Sequence, residues 1–192
     1  AENTLIGTYS GRTLTSGTTN TMVGVNYNGG GVTTGSNNLL LGNNAAATST
    51  SVSNEITLGN SSITTLRCQA TSITAVSDER DKTEIEDLGY GLAFIDALQP
   101  RQFVWDNRAE VITEFDEEGN ETEVEFYSAN KGKKDFGFIA QEVKELDNDT
   151  LRLVYDENPE KLELSYGKLV PILVKAIQEL KEEVEILKSQ NN

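Results

Sequence analysis

One short pattern returns at a nearly constant interval through the first third of this 192-residue chain. Asn3-Thr-Leu-Ile-Gly7 comes back as Asn20-Thr-Met-Val-Gly24, as Asn38-Leu-Leu-Leu-Gly42 and, in degenerate form, as Glu55-Ile-Thr-Leu-Gly59, so its glycines fall 17, 18 and 17 residues apart. A second element lies between the copies, in Leu14-Thr-Ser-Gly17 and Val32-Thr-Thr-Gly35. Fixed periods of this size mark stacked repeat architectures. Each unit offers one short apolar strand and a glycine turn, too little to enclose a core alone. The missing partners are either adjacent turns of one chain or copies of the chain around an axis. Four units make only a thin single-chain solenoid, so three chains wound together are the expected form. The richness in Gly, Ser, Thr and Asn would also suit disorder, but disordered linkers rarely keep a period.

Charge divides the chain into the same two parts. Residues 1–70 balance Arg12 and Arg67 against Glu2 and Glu55. The remaining residues hold the whole net charge of −15. A surface of that sign repels phosphate backbones, so no nucleic-acid partner is expected. No run of 18 apolar residues and no charged-apolar-small leader is present, so no membrane partner is expected. The single cysteine, Cys68, excludes an internal disulfide framework and suits a reducing cytosol. With no histidine in the chain, no metal and no cofactor are expected.

Beyond about Thr71 the pattern changes to α+β. Leu88, Leu92, Ile95 and Leu98 follow helical spacing up to Pro100. Phe103-Val-Trp105 and Phe136-Gly-Phe-Ile-Ala140 read as strands. Val111–Phe115 and Val124–Phe126 flank Glu117-Glu-Gly-Asn120 as a hairpin with a glycine turn, and Gln141–Leu146 reads as a short helix. The sequence closes on a helix expected over about residues 166–189, with Pro171 in its first turn. Its Val170, Leu173, Ile177, Leu180, Val184 and Leu187 alternate steps of three and four, a heptad seam suited to a helical bundle. The expected domains are therefore a β-repeat stalk over residues 1–75 and an α+β domain over residues 76–192.

Candidate chemistry lies at the border, in Ser77-Asp-Glu-Arg-Asp-Lys82. Without histidine, a Ser-His-Asp triad is impossible. A serine can instead be activated by a neutral lysine. Lysine ordinarily titrates near pKa ~10.4, and burial disfavours its charged form. A Lys82 in a dry pocket would thus take the proton from Ser77. The plainer reading of this segment is an exposed polar turn with Ser77 as a helix cap.

Ser77-Asp-x-Arg80-x-Lys82 resembles the opening of the intramolecular chaperone domain that ends endosialidases, phage tailspikes and tail fibres. Leu92-Ala-Phe-Ile-Asp-Ala-Leu98, Gly137-Phe-Ile-Ala-Gln-Glu-Val143 and Tyr166-Gly-Lys-Leu-Val-Pro-Ile-Leu173 resemble its later motifs, in the same order. The upstream repeats resemble the stalks of phage tail fibres. The resemblance implies a homotrimer in which the C-terminal domain assembles an all-β interwound stalk and ends in a trimeric helical bundle. It implies single-turnover self-cleavage between Val76 and Ser77, with Ser77 as nucleophile and Lys82 as general base. Asp78, Arg80, Gly137, Gln141 and Glu142 match supporting positions. The partners implied are the chain itself and the upstream tail-fibre polypeptide, with no small-molecule substrate. Folding would occur in the host bacterial cytoplasm, the stalk joining the virion and the chaperone being released. Many members carry histidine two residues before the motif glycine, where this chain has Asp135. A trimerisation cap that never cuts and stays on the fibre is the alternative.

Overall fold

A computed structural model describes residues 2–24, 31–70, 72–115, 120–147 and 149–191. The chain separates into two compact units, both assembled from separate stretches of sequence. The first comprises Ala1–Leu66, Phe103–Asp135 and Glu157–Lys161, the second Arg67–Gln102, Phe136–Asp156 and Leu162–Asn192.

In the first unit each repeat contributes one three-residue strand: β1 (Thr4–Ile6), β2 (Thr21–Val23), β3 (Leu39–Leu41) and β4 (Ile56–Leu58). They pair in chain order as a parallel sheet, with Leu5 opposite Met22, Met22 opposite Leu40 and Leu40 opposite Thr57. The hydrogen-bond partner of each strand is therefore the next repeat of its own chain, the arrangement weighed in the sequence beside the expected winding of three chains. A Cβ on Gly7 would lie 2.4 Å from the Gly24 carbonyl oxygen, and one on Gly24 equally close to that of Gly42. The glycine column is what lets successive turns approach this closely.

An asparagine ladder joins the turns. Asn3 Oδ1 accepts the Asn20 N–H at 2.8 Å, Asn20 Oδ1 accepts the Asn38 N–H at 3.0 Å, and Asn38 Oδ1 accepts the Glu55 N–H at 3.0 Å. Each amide also donates forward, to the carbonyls of Gly17, Gly35 and Val52. Asn20 and Asn38 are buried beside Met22, Val32, Leu40 and Ala45. Burial without those partners would cost about 1–3 kcal/mol per group. The ladder thus makes the register of each turn conditional on the turn before it.

The same unit contains the hairpin of β6 (Glu110–Phe115) and β7 (Glu121–Phe126), antiparallel with Ile112 opposite Val124. The turn at residues 117–119 lies outside the described residues. β5 (Arg101–Val104) pairs with β8 (Lys134–Gly137). β5 ends one residue before Trp105, and β8 stops at Gly137 because Ala140 already begins a helix.

The second unit is built on α1 (Leu92–Ala97), α2 (Ala140–Asp147), the antiparallel pair β9 (Val154–Tyr155) and β10 (Glu163–Leu164), and α3 (Leu169–Gln190). Phe94, Leu98, Val143, Leu153, Leu169 and Ile172 form its core. Leu88 packs on that core from the loop before α1, not from the helix. The Glu179 carboxylate accepts the Leu92 N–H at 2.7 Å and caps α1 from α3. Gly91 leaves room for it, since a Cβ there would lie 2.2 Å from the carboxylate oxygen.

α3 carries two stripes. Leu169, Ile172 and Ala176 are buried against their own unit, and Glu179 continues that line. The heptad seam is a different line, one residue along. Val170, Leu173, Ile177, Leu180, Val184 and Leu187 are all exposed, Ile177 at 65%. From Lys181 onward every described residue of the helix is exposed.

Candidate active site

The segment Ser77–Lys82 folds around one 3-10 turn, Glu79–Asp81. Asp78 caps it: its carboxylate accepts the Arg80 N–H at 2.9 Å, as an aspartate at an N-cap is suited to do. The Asp81 N–H donates to the Asp78 carbonyl and the Lys82 N–H to the Glu79 carbonyl. Four residues of coil thereby reverse direction and bring the side chains of Ser77 and Lys82 face to face. Lys82 Nζ lies 2.7 Å from Ser77 Oγ and 3.1 Å from the Ser77 carbonyl oxygen.

The acidic residues around Lys82 do not claim it. Among the described residues its ammonium group pairs with no carboxylate. Asp78, the nearest in sequence to Ser77, is turned onto Arg80 by two further bonds, from Nε at 3.0 Å and from Nη2 at 2.6 Å. That guanidinium holds the Asp78 carboxyl below its ordinary range, chiefly through the side-chain hydrogen bond, and the carboxylate raises Arg80 in turn. Ser77 and Lys82 are both exposed in the single chain, where the sequence reading places the lysine in a dry pocket.

The other expected residues take separate positions. Gly137 ends β8, and Gln141 and Glu142 lie in the first turn of α2. Glu142 makes a two-pronged pair with Arg101, at 2.8 and 3.1 Å, which lowers the glutamate and raises the arginine. Among the described residues no hydrogen bond links Gly137, Gln141 or Glu142 to Ser77 or Lys82. Asp135 accepts a hydrogen bond from the Trp105 indole N–H at 3.1 Å. Tyr166 accepts the Phe138 N–H through its hydroxyl oxygen at 3.1 Å, tying the glycine motif to the start of the last helix. Arg101, Trp105 and Tyr166 were not singled out as partners, because no local spacing connects them to residues so far along the chain.

A family model described as the chaperone of endosialidase, a peptidase family, matches residues 77–152. Residues 77–152 are similar to that family. The endosialidase-chaperone match opens on Ser77 itself, the residue already set against Lys82, and closes before α3. Neither the curated proteins nor the solved structures gave a match. The match is to a chaperone domain, in a family named for peptidase activity.

Proposed function

We propose that the C-terminal part of this chain is an intramolecular chaperone. It brings three chains together, assembles the stalk of a phage tail fibre or tailspike, and then releases itself by cutting the Val76–Ser77 bond. The contact of 2.7 Å between Ser77 Oγ and Lys82 Nζ, at the first residue of the family match, carries this reading. The bond to be cut is accessible, Val76 being 90% exposed.

In the proposed reaction Lys82 takes part as its free amine. It accepts the Ser77 hydroxyl proton while Oγ attacks the Val76 carbonyl carbon. The C–N bond breaks, the Ser77 nitrogen leaves as the amine with that proton, and Val76 is held as an ester on Oγ. Water then hydrolyses the ester to a Val76 carboxylate and a free Ser77 hydroxyl. Because nucleophile and carbonyl are neighbours in one chain, tethering supplies effective molarities of roughly 10⁵ M or more when the geometry is right. A modest base is enough for a single turnover.

The exposed seam of α3 is the proposed trimer contact, three such helices burying what one leaves in water. Aligning three chains at their ends raises their effective concentration for stalk assembly, and loss of the chaperone afterwards leaves a kinetically trapped fibre. Assembly would take place in the host cytoplasm, the stalk then joining the virion. A permanent, uncut cap is the second reading, favoured by Asp135, held by Trp105, standing where many members have histidine. A denaturing gel with intact-mass analysis decides between them. The wild-type chain is expected to give two fragments split at Val76–Ser77, and Ser77→Ala one full-length band. A single band from both refutes the cut.

A further inference from the structure

The exposed seam of α3 is sorted by side-chain shape. Written as a heptad from Val170, its a positions are Val170, Ile177 and Val184, and its d positions are Leu173, Leu180 and Leu187. Every a residue is β-branched and every d residue is leucine. Helices that run the same way in register stack a on a and d on d, so the two shapes keep to separate layers. Helices that run opposite ways set a against d and mix them. The sorting suits the first arrangement.

Charge fixes the direction more firmly. Beside the seam, the g positions hold Leu169, Ala176 and Glu183, and the e positions hold Val174, Lys181 and Lys188. Leu169 and Ala176 are buried. Glu183 and Lys188 lie past Lys181, where every described residue of the helix is exposed. On one helix, side chains three or four residues apart are neighbours. Lys175 and Lys181 each have a glutamate at that spacing, Glu179 at 3.7 Å and Glu185 at 3.8 Å. Around Glu183 those places hold Glu179, Leu180, Ile186 and Leu187, none of them a cation. In parallel helices a g side chain leans toward the e position five residues further along its neighbour. For Glu183 that position is Lys188. In opposed helices g faces g, which offers Glu183 only apolar Leu169 and Ala176 or a second Glu183.

We propose that the α3 helices of neighbouring copies run parallel and in register, with the Glu183 carboxylate of each chain against the Lys188 ammonium of the next. This rests on the association proposed above and gives it a direction. A closed ring of identical chains allows no stagger and repeats the pair at every contact, whatever the number of chains. An exposed ion pair adds little affinity. Its effect is to choose the arrangement, since flanking charges of this kind set helix orientation.

The test uses the full chain kept uncut by Ser77→Ala. Glu183→Lys and Lys188→Glu are each expected to weaken association on the order of tenfold at low salt, and less at high salt, as exposed ion pairs do. The double variant, Glu183→Lys with Lys188→Glu, is expected to recover most of the loss, because the pair is remade with its signs exchanged. Sedimentation over a concentration series gives the dissociation constants. Direction is read separately, with Cys68→Ser added. Leu187→Cys is expected to form a disulfide between copies under oxidised glutathione. No loss in the single variants, or a double variant no better than they are, overturns the proposal and leaves association standing. Cross-linking of Leu187→Cys chains only to Val170→Cys chains marks opposed helices and does the same. A protein that stays a single chain at every concentration overturns the proposed association together with its direction.

Discussion

Ser77 and Lys82 sit five positions apart and touch because a capped 3-10 turn folds the chain between them. Lys82→Ala removes the side-chain base that Ser77 contacts among the described residues and is expected to slow cutting about a hundredfold or more, read as the rate of fragment appearance. Asp78 and Arg80 maintain the turn, so the turn inherits their ionisation. The Asp78 carboxyl is depressed by its bond to Arg80. Its contribution is therefore complete above the ordinary aspartate value, about 3.9, and is lost only as pH falls through the lower folded value. A carbon-13 titration is expected to place the Asp78 midpoint below that ordinary value, and Arg80→Ala to return it there. An unmoved midpoint in Arg80→Ala would show that the pair does not govern the turn. The contact of Ser77 with Lys82 was legible because their motif resembles the opening of the chaperone domain. Arg101 with Glu142 and Trp105 with Asp135 were not, since 41 and 30 residues separate them and folding alone brings them together.

At the level of elements, α3 separates two tasks that look alike in sequence. Its buried line through Leu169, Ile172 and Ala176 and its exposed line through Val170, Leu173 and Ile177 both step by three and four. Periodicity reveals such lines but does not say which one meets the chain's own core. Two neighbouring isoleucines make the difference measurable. Ile172→Ala removes a core side chain and is expected to lower stability of the second unit by about 2–5 kcal/mol. Ile177→Ala is expected to leave that stability nearly unchanged and to weaken association, seen as a concentration-dependent loss of the assembled species. Equal effects of the two on unfolding would mean that the seam serves the fold of one chain only. The repeat strands were more legible. Their glycines and asparagines are dictated by close turns and an amide ladder, so the register follows from the interval between copies.

Within one chain the four repeat strands pair in order, and the last helix presents an exposed apolar line. That combination makes sense if the helix line is where copies meet and the cut follows assembly. A chain bearing a net charge of −15 repels its own copies, so association needs a contact surface poor in charge. The six apolar positions of the α3 seam supply one at the end of each chain. The most direct measurement is the solution mass of the uncut Ser77→Ala protein by light scattering on a sizing column. The account predicts one species at about three times the chain mass of 21.0 kDa. A species at the mass of a single chain would contradict it.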